Sequence, residues 1–160
     1  MPNLTIRFIA GTDIVSRLIQ YATNSLFCHT ECLSCDGTAW IGAHSGTGVQ
    51  ARKLDWCKPT LERRYSVPVT PEGYERAMAW LESKVGEKYN YASIIGLALH
   101  WRIGASRSET DCSALMIGLL QLADIQPLNC LEGFNYLITP ETLHLSPIFV
   151  GRGVSAATQR

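Results

Sequence analysis

Apolar and polar side chains alternate along "LTIRFIAG" (residues 4–11), and the run stops at Gly11, which predicts a β-strand. The period then lengthens. In "TDIVSRLIQYATNS" the residues Ile14, Leu18 and Tyr21 share one side of a helical repeat behind Thr12 or Asp13 as N-cap, which predicts a short helix with that stripe turned inward. Strand-like runs follow at "SLFCHTECLS", "WIGAHS", "GVQARKL" and, past Pro59, "RRYSVPV". An Asp36-Gly37 turn joins the first two, and together the runs predict an antiparallel meander. From Thr70 the helical period returns, with Thr70 as N-cap, Pro71 at the first position, Tyr74, Ala77, Met78 and Leu81 facing inward and Gly86 as the stop. "YASIIGLALHW" reads as another helix, and "WRIGASRSET" reads as a loop that delivers the chain to an apolar helix from about Asp111 to Ala123, closed by Pro127. "TPETLHLSPIF" adds a Thr-Pro helix start, and residues from about 151 to 160 read as a flexible tail. The order predicts one α+β domain over residues 1–160, a small antiparallel sheet or barrel packed against helices.

Composition narrows the function classes. The 160 residues suffice for one real core, and 14 basic residues balance 14 acidic ones, which gives no electrostatic footprint for nucleic acid or an anionic membrane. The N-terminus lacks a basic region ahead of an unbroken apolar stretch, and no apolar run reaches the roughly 18 residues of a membrane span. A soluble protein of the cytoplasm or another reducing compartment is expected. Six cysteines in a chain of this size favour reduced thiols over a disulfide framework. Cys32 and Cys35 form a C-x-x-C pair near His29, but a strand turns Cys28 and Cys32 to one face and His29, Glu31 and Cys35 to the other. No second pair completes a tetrahedron, so neither a metal nor a cofactor is expected, and a metal held by the early cysteines with His29 stays open as an alternative.

The strongest chemical signal is Cys112, directly after Asp111 at the start of the apolar helix. First-turn N–H groups without intrahelical partners and the positive end of the helix dipole stabilise a thiolate there. A cysteine nucleophile needs a base, and the histidines are His29, His44, His100 and His144. His29 precedes Glu31 by two residues on a strand, so both side chains point to one face, where the carboxylate can orient the imidazole. His44, on the next strand, is a rival for that orienting role. His100 sits in an apolar helix and reads as a packing residue. Bland readings stay open beside these: cysteine is also a common small core residue, and a histidine next to a glutamate also occurs on ordinary surface strands.

"GEKYNY" followed by "DCSALM" resembles the Gly-x-x-Tyr and Asp-Cys-Ser-Gly elements of NlpC-type cysteine peptidases, which have a papain-like fold. The histidine precedes the cysteine here, an order that resembles the circularly permuted branch, the YiiX-like or YebB-like peptidases and the related lecithin:retinol acyltransferase group. "CHTECLSCDGTAWIGAHSGTGVQARKLDW" is similar to that branch's histidine strand and hairpin, and "WLESKVGEKYNYASIIGL" to the elements before its cysteine. The match extends over roughly residues 10–148. The resemblance implies a permuted papain-like fold with Cys112 as nucleophile, His29 as base, Glu31 as third member and Tyr89 near the oxyanion site. Alanine stands where the motif has its glycine, and the gap from Tyr89 to Cys112 is longer than in the NlpC pattern. The implied activity is hydrolysis of an amide in a small peptide or acyl-amide, with cell-wall peptides among the candidates. An acyltransferase or thioesterase of the same fold, or a catalytically silent binding or assembly module, are the alternatives. Replacing Glu31 with Gln is expected to lower turnover and leave the fold intact. The sequence does not give the oligomeric state.

Overall fold

The alternating first run forms strand β1 (Asn3–Ala10), with Leu4, Ile6 and Phe8 in the core and Arg7 on the opposite face. The computed structural model describes residues 1–11, 14–89, 109–128, 138–150 and 153–154. Helix α1 (Ile14–Thr23) follows, then β2 (His29–Leu33), β3 (Ala39–His44), β4 (Gly48–Lys53) and β5 (Leu61–Pro68). Helix α2 (Pro71–Ser83), short strands β6 (Lys88–Tyr89) and β7 (Glu109–Thr110), helices α3 (Cys112–Leu122) and α4 (Pro140–His144), and β8 (Gly153–Val154) complete the described elements. The class is α+β. The helix expected at "YASIIGLALHW", with His100, lies outside the described residues, as does most of the following loop.

The sheet order is β4-β3-β2-β1-β5-β8, antiparallel throughout. This corrects the simple meander: β5 does not add to β4 but crosses to the far side of β1, pairing Leu4 with Val67 and Ala10 with Leu61. The physical reason is burial. Tyr65 and Val67 on β5 are apolar in alternation and join Leu4, Ile6 and Phe8 in one core layer. Gly153–Val154, inside the stretch read as a tail, pairs with Arg64 and Tyr65 of β5.

Helices α2 and α3 pack on each other, and α3 lies against β2 and β3. Thr70 caps α2 by accepting from Gly73 N, and Ala77, Met78 and Leu81 are buried as their spacing predicts. Gly118 lets the two helices meet, since a Cβ there would stand 2.6 Å from the Trp80 ring. The stripe expected on α1 is a second correction: Ile14 and Tyr21 are 85% and 89% exposed. Gln20 Nε2 donates to Leu26 O at 2.6 Å, and Ser16 and Ile19 border a cavity, so this side of the helix turns inward instead. A third correction falls on the loop before Cys112. Its last two residues form β7, which runs parallel to β6 with Tyr89 opposite Thr110.

Candidate active site

Asp111 has extended backbone angles and closes the first turn of α3, its Oδ1 accepting from Ala114 N at 2.8 Å. Cys112 is therefore the first residue of the helix, and it is 5% exposed. Leu115, Met116, Leu119 and Leu120 are fully buried behind it and anchor the helix in the core.

His29 opens β2, and its ring meets two partners. Nε2 is 3.2 Å from Glu31 Oε1, and the Cys112 side chain lies close enough to the ring to interact with it. The two-residue spacing has the effect that strand alternation predicts. Register brings Arg7 of β1 opposite Glu31, and the guanidinium Nε and Nη2 reach Glu31 Oε2 at 2.6 and 2.5 Å. Trp56, from the segment between β4 and β5, donates Nε1 to the same oxygen at 3.4 Å. His44 Nε2 stands 3.2 Å from Glu31 Oε1 but off hydrogen-bonding alignment, so that nitrogen is buried without a well-aligned partner. The two imidazoles lie with centroids 4.6 Å apart.

Gly42 of β3 makes this arrangement fit. A Cβ there would stand 2.7 Å from Glu31 Cγ and 3.1 Å from His29 Nε2.

The charges follow from these contacts. Burial alone would lower the His29 pKa, but its hydrogen bonds to Cys112 and Glu31 and the charge of Glu31 outweigh burial and raise it to about 10. Burial would likewise raise Glu31; the hydrogen bond from His29, the adjacent His44 ring and the charges of His29 and Arg7 hold it below the usual carboxylate range instead. Burial dominates at His44, helped by the charge on His29, and lowers it to about 4. The site thus holds a cationic His29, an anionic Glu31 and a neutral His44 near pH 7.

A cavity of about 370 Å³ opens against His29 and His44, with Ile9, Trp56, Arg52 and Tyr89 also in its wall. Its size suits a small-molecule ligand. Tyr89 reaches it because β6 pairs with β7 one residue before the helix cap. No protein-family model matches this chain, and no curated protein matches it. Its fold is similar to that of YiiX. The structure of the metalloprotein YiiX (DUF1105) from Escherichia coli O157:H7 aligns with a TM-score of 0.70 over 99% of this chain and 97% of the YiiX chain. Sequence identity between this chain and YiiX is 14%, so the likeness is one of fold.

Of the sequence-derived candidates, His29, His44 and Tyr89 line this cavity, Glu31 lies against both histidines, and Cys112 interacts with His29 without lining the cavity. His144 does not. Its Nε2 is 2.7 Å from Tyr65 OH, and its ring packs on Phe8 and Phe27 in the core. Of the early cysteines, Cys28 and Cys57 line the cavity, whereas Cys32 is buried in the core and Cys35 is exposed with its thiol on Glu82. A group of three possible metal ligands does exist among the described residues, His29, Glu31 and His44, whose ligand atoms lie within 4.8 Å of one another. Sequence reasoning missed Arg7 and Trp56. Arg7 had a signal, a lone cation between Ile6 and Phe8 on an alternating strand, which must face away from the core and find a cross-strand partner. Trp56 had none. Glu31 is fully buried with Arg7 on it, so Glu31→Gln cannot leave the fold untouched as expected: it leaves a buried guanidinium without its counter-charge.

Proposed function

We propose that this chain is a cysteine-dependent hydrolase of permuted papain-like type that cleaves an amide in a small peptide or acyl-amide, with Cys112 as nucleophile, His29 as base and Glu31 as orienting acid. The observation that carries this reading is the placement of His29, hydrogen-bonded to the buried Glu31 and near enough to the Cys112 side chain to interact with it. His29, already cationic, holds the proton of the thiol–imidazole pair, and the thiolate attacks the carbonyl carbon. The first-turn N–H groups of Cys112 and Ser113, which helix geometry leaves without intrahelical partners, face the developing oxyanion. The imidazolium then protonates the leaving nitrogen as the C–N bond breaks, which gives a thioester. Water, deprotonated by His29, attacks the thioester and releases the acid. His44 is a neutral neighbour that helps fix the Glu31 carboxylate, and Tyr89 forms part of the substrate wall.

Alkylation tests the assignment. Limiting iodoacetamide at pH 6 is expected to label Cys112 first, because burial pushes Cys32 up to about 12, the Glu82 hydrogen bond raises exposed Cys35 and burial raises Cys57. His29→Gln should abolish that preference and lower turnover by about 10³-fold or more. Equal labelling of Cys35 and Cys112 in the unaltered chain would defeat the assignment.

A second reading has a specific observation behind it, since YiiX is a metalloprotein and His29, Glu31 and His44 cluster here. Their 3.2 Å spacings approach the edge of a tetrahedral zinc site, about 3.4 Å for bonds near 2.1 Å. A zinc ion on His29 Nε2, His44 Nε2 and Glu31 Oε1 would supply a bound water of lowered pKa. Arg7 already neutralises the same carboxylate, which favours the thiol reading. Elemental analysis of purified protein, repeated on His44→Gln, separates the two: a stoichiometric metal lost in the variant supports the second.

A further inference from the structure

We infer that the cavity against His29 and His44 takes a substrate bearing a carboxylate, which Arg52 binds in its wall with Lys58 at the exposed rim. The inference deepens the hydrolase reading and rests on it only for where the scissile bond lies.

Arg52 is placed by strand alternation. On β4, Gln50 and Arg52 stand opposite Gly42 and Trp40 of β3, which puts them on the sheet face that carries His44. Three neutral contacts hold the guanidinium: Nε donates to Gln50 Oε1 at 3.1 Å, Nη2 donates to Thr47 Oγ1 at 3.0 Å, and its centre lies 4.6 Å from the Trp56 ring centroid. Trp56 in turn stacks edge-on to His44 at 4.9 Å, so one indole separates the guanidinium from the His29–His44 pair.

Among the described residues no carboxylate pairs with this charge. Arg7, Arg64, Arg76 and Lys84 each form an ion pair, whereas among the described residues neither Arg52 nor Lys58 does. The cavity wall holds both cations and, among the described residues, no acid; Glu31 lies behind the histidines, saturated by Arg7. Nη1 of Arg52 has no partner among the described residues, which leaves a planar donor edge of the kind that a carboxylate engages with two oxygens. A guanidinium fixed in advance by neutral partners loses little freedom on binding, which is what a specificity contact needs.

Binding can be read without turnover. N-acetylglutamate and N-acetylglutamine differ by one charge at nearly equal size, and amide NMR titration of Cys112→Ala with each measures the preference directly. N-acetylglutamate is expected to bind about ten-fold more tightly, and the ratio should fall to about one in Arg52→Gln and keep an intermediate value in Arg52→Lys. Equal binding of the two compounds by the chain with Arg52 intact overturns the inference, whether or not Arg52→Gln folds. So does a preference that survives Arg52→Gln. Inorganic phosphate bound as tightly as N-acetylglutamate also overturns it, by showing a general anion site. Because Cys112→Ala carries no thiol chemistry, failure here leaves the iodoacetamide result standing, and failure of that result leaves the binding preference standing.

Discussion

Arg7, His29 and His44 share the carboxylate of Glu31, so a change at that residue has separable costs. Glu31→Gln should destabilise the fold by about 3–5 kcal/mol, the usual cost of leaving one member of a buried ion pair uncompensated, measured by urea unfolding. Pairing the change with Arg7→Met should recover much of that stability and none of the turnover, which isolates the orienting role from the structural one. The pH dependence of stability carries the same information. His29 stays protonated in the folded chain up to about 10 against 6.5 unfolded, so its contribution is complete below 6.5 and is lost as pH rises through 10. His44 is held neutral down to about 4, so the unfolded chain binds the extra proton between 6.5 and 4, and stability falls as pH falls through that window. Glu31, held low, keeps its contribution above 4.5 and loses it only in stronger acid. Stability should peak near pH 6.5. Unfolding across a pH series should lose its slope between 6.5 and 9 in His29→Gln, leaving the Cys32 slope above 9, and its acid slope between 6.5 and 4 in His44→Gln.

At the scale of elements, two local features set the position of the thiol and its base. Asp111 caps α3, and Asp111→Ala should cost about 1 kcal/mol in unfolding free energy while reducing the rate of Cys112 alkylation, since the first turn frays where the nucleophile sits. Gly42 makes room for Glu31 and His29 on the adjacent strand. Gly42→Ala should lower turnover by more than it lowers stability, because the displaced atoms are the carboxylate and the imidazole themselves. These elements were legible in the sequence. The caps at Thr70 and Asp111 follow from residue chemistry next to an apolar repeat, and the shared face of His29 and Glu31 follows from strand alternation. The inward face of α1 was not legible, because Ile14, Leu18 and Tyr21 form a proper helical stripe, yet the folded helix turns Ser16 and Ile19 to the cavity and leaves Ile14 and Tyr21 exposed.

Across the whole molecule, what escaped the sequence is what depends on distant partners. The pairing of β1 with β5, the β6–β7 contact that brings Tyr89 to the cap of α3, and the Arg7–Glu31 pair join segments whose local patterns are satisfied by other arrangements too. The described C-terminal residues show how far such coupling extends. Glu141 Oε2 on α4 accepts from Leu26 N and Phe27 N at 3.0 and 3.3 Å, immediately before His29, while Phe149 packs on Phe8 and Tyr65 with ring centroids 5.1 and 5.0 Å away. These two contacts should respond differently to mutation. Phe149 is 1% exposed, so Phe149→Ala removes buried aromatic area and should cost about 3–5 kcal/mol of global stability, with the order of thiol labelling unchanged in the folded fraction. Glu141→Ala removes a clamp on two backbone amides at the start of the histidine strand. Its expected signature is faster hydrogen exchange at Leu26 and Phe27 and slower Cys112 alkylation, with a loss of global stability near 1 kcal/mol. If Glu141→Ala instead accelerated exchange uniformly and left alkylation unchanged, the C-terminal helix would be a general brace, and the position of His29 would be set by the sheet alone.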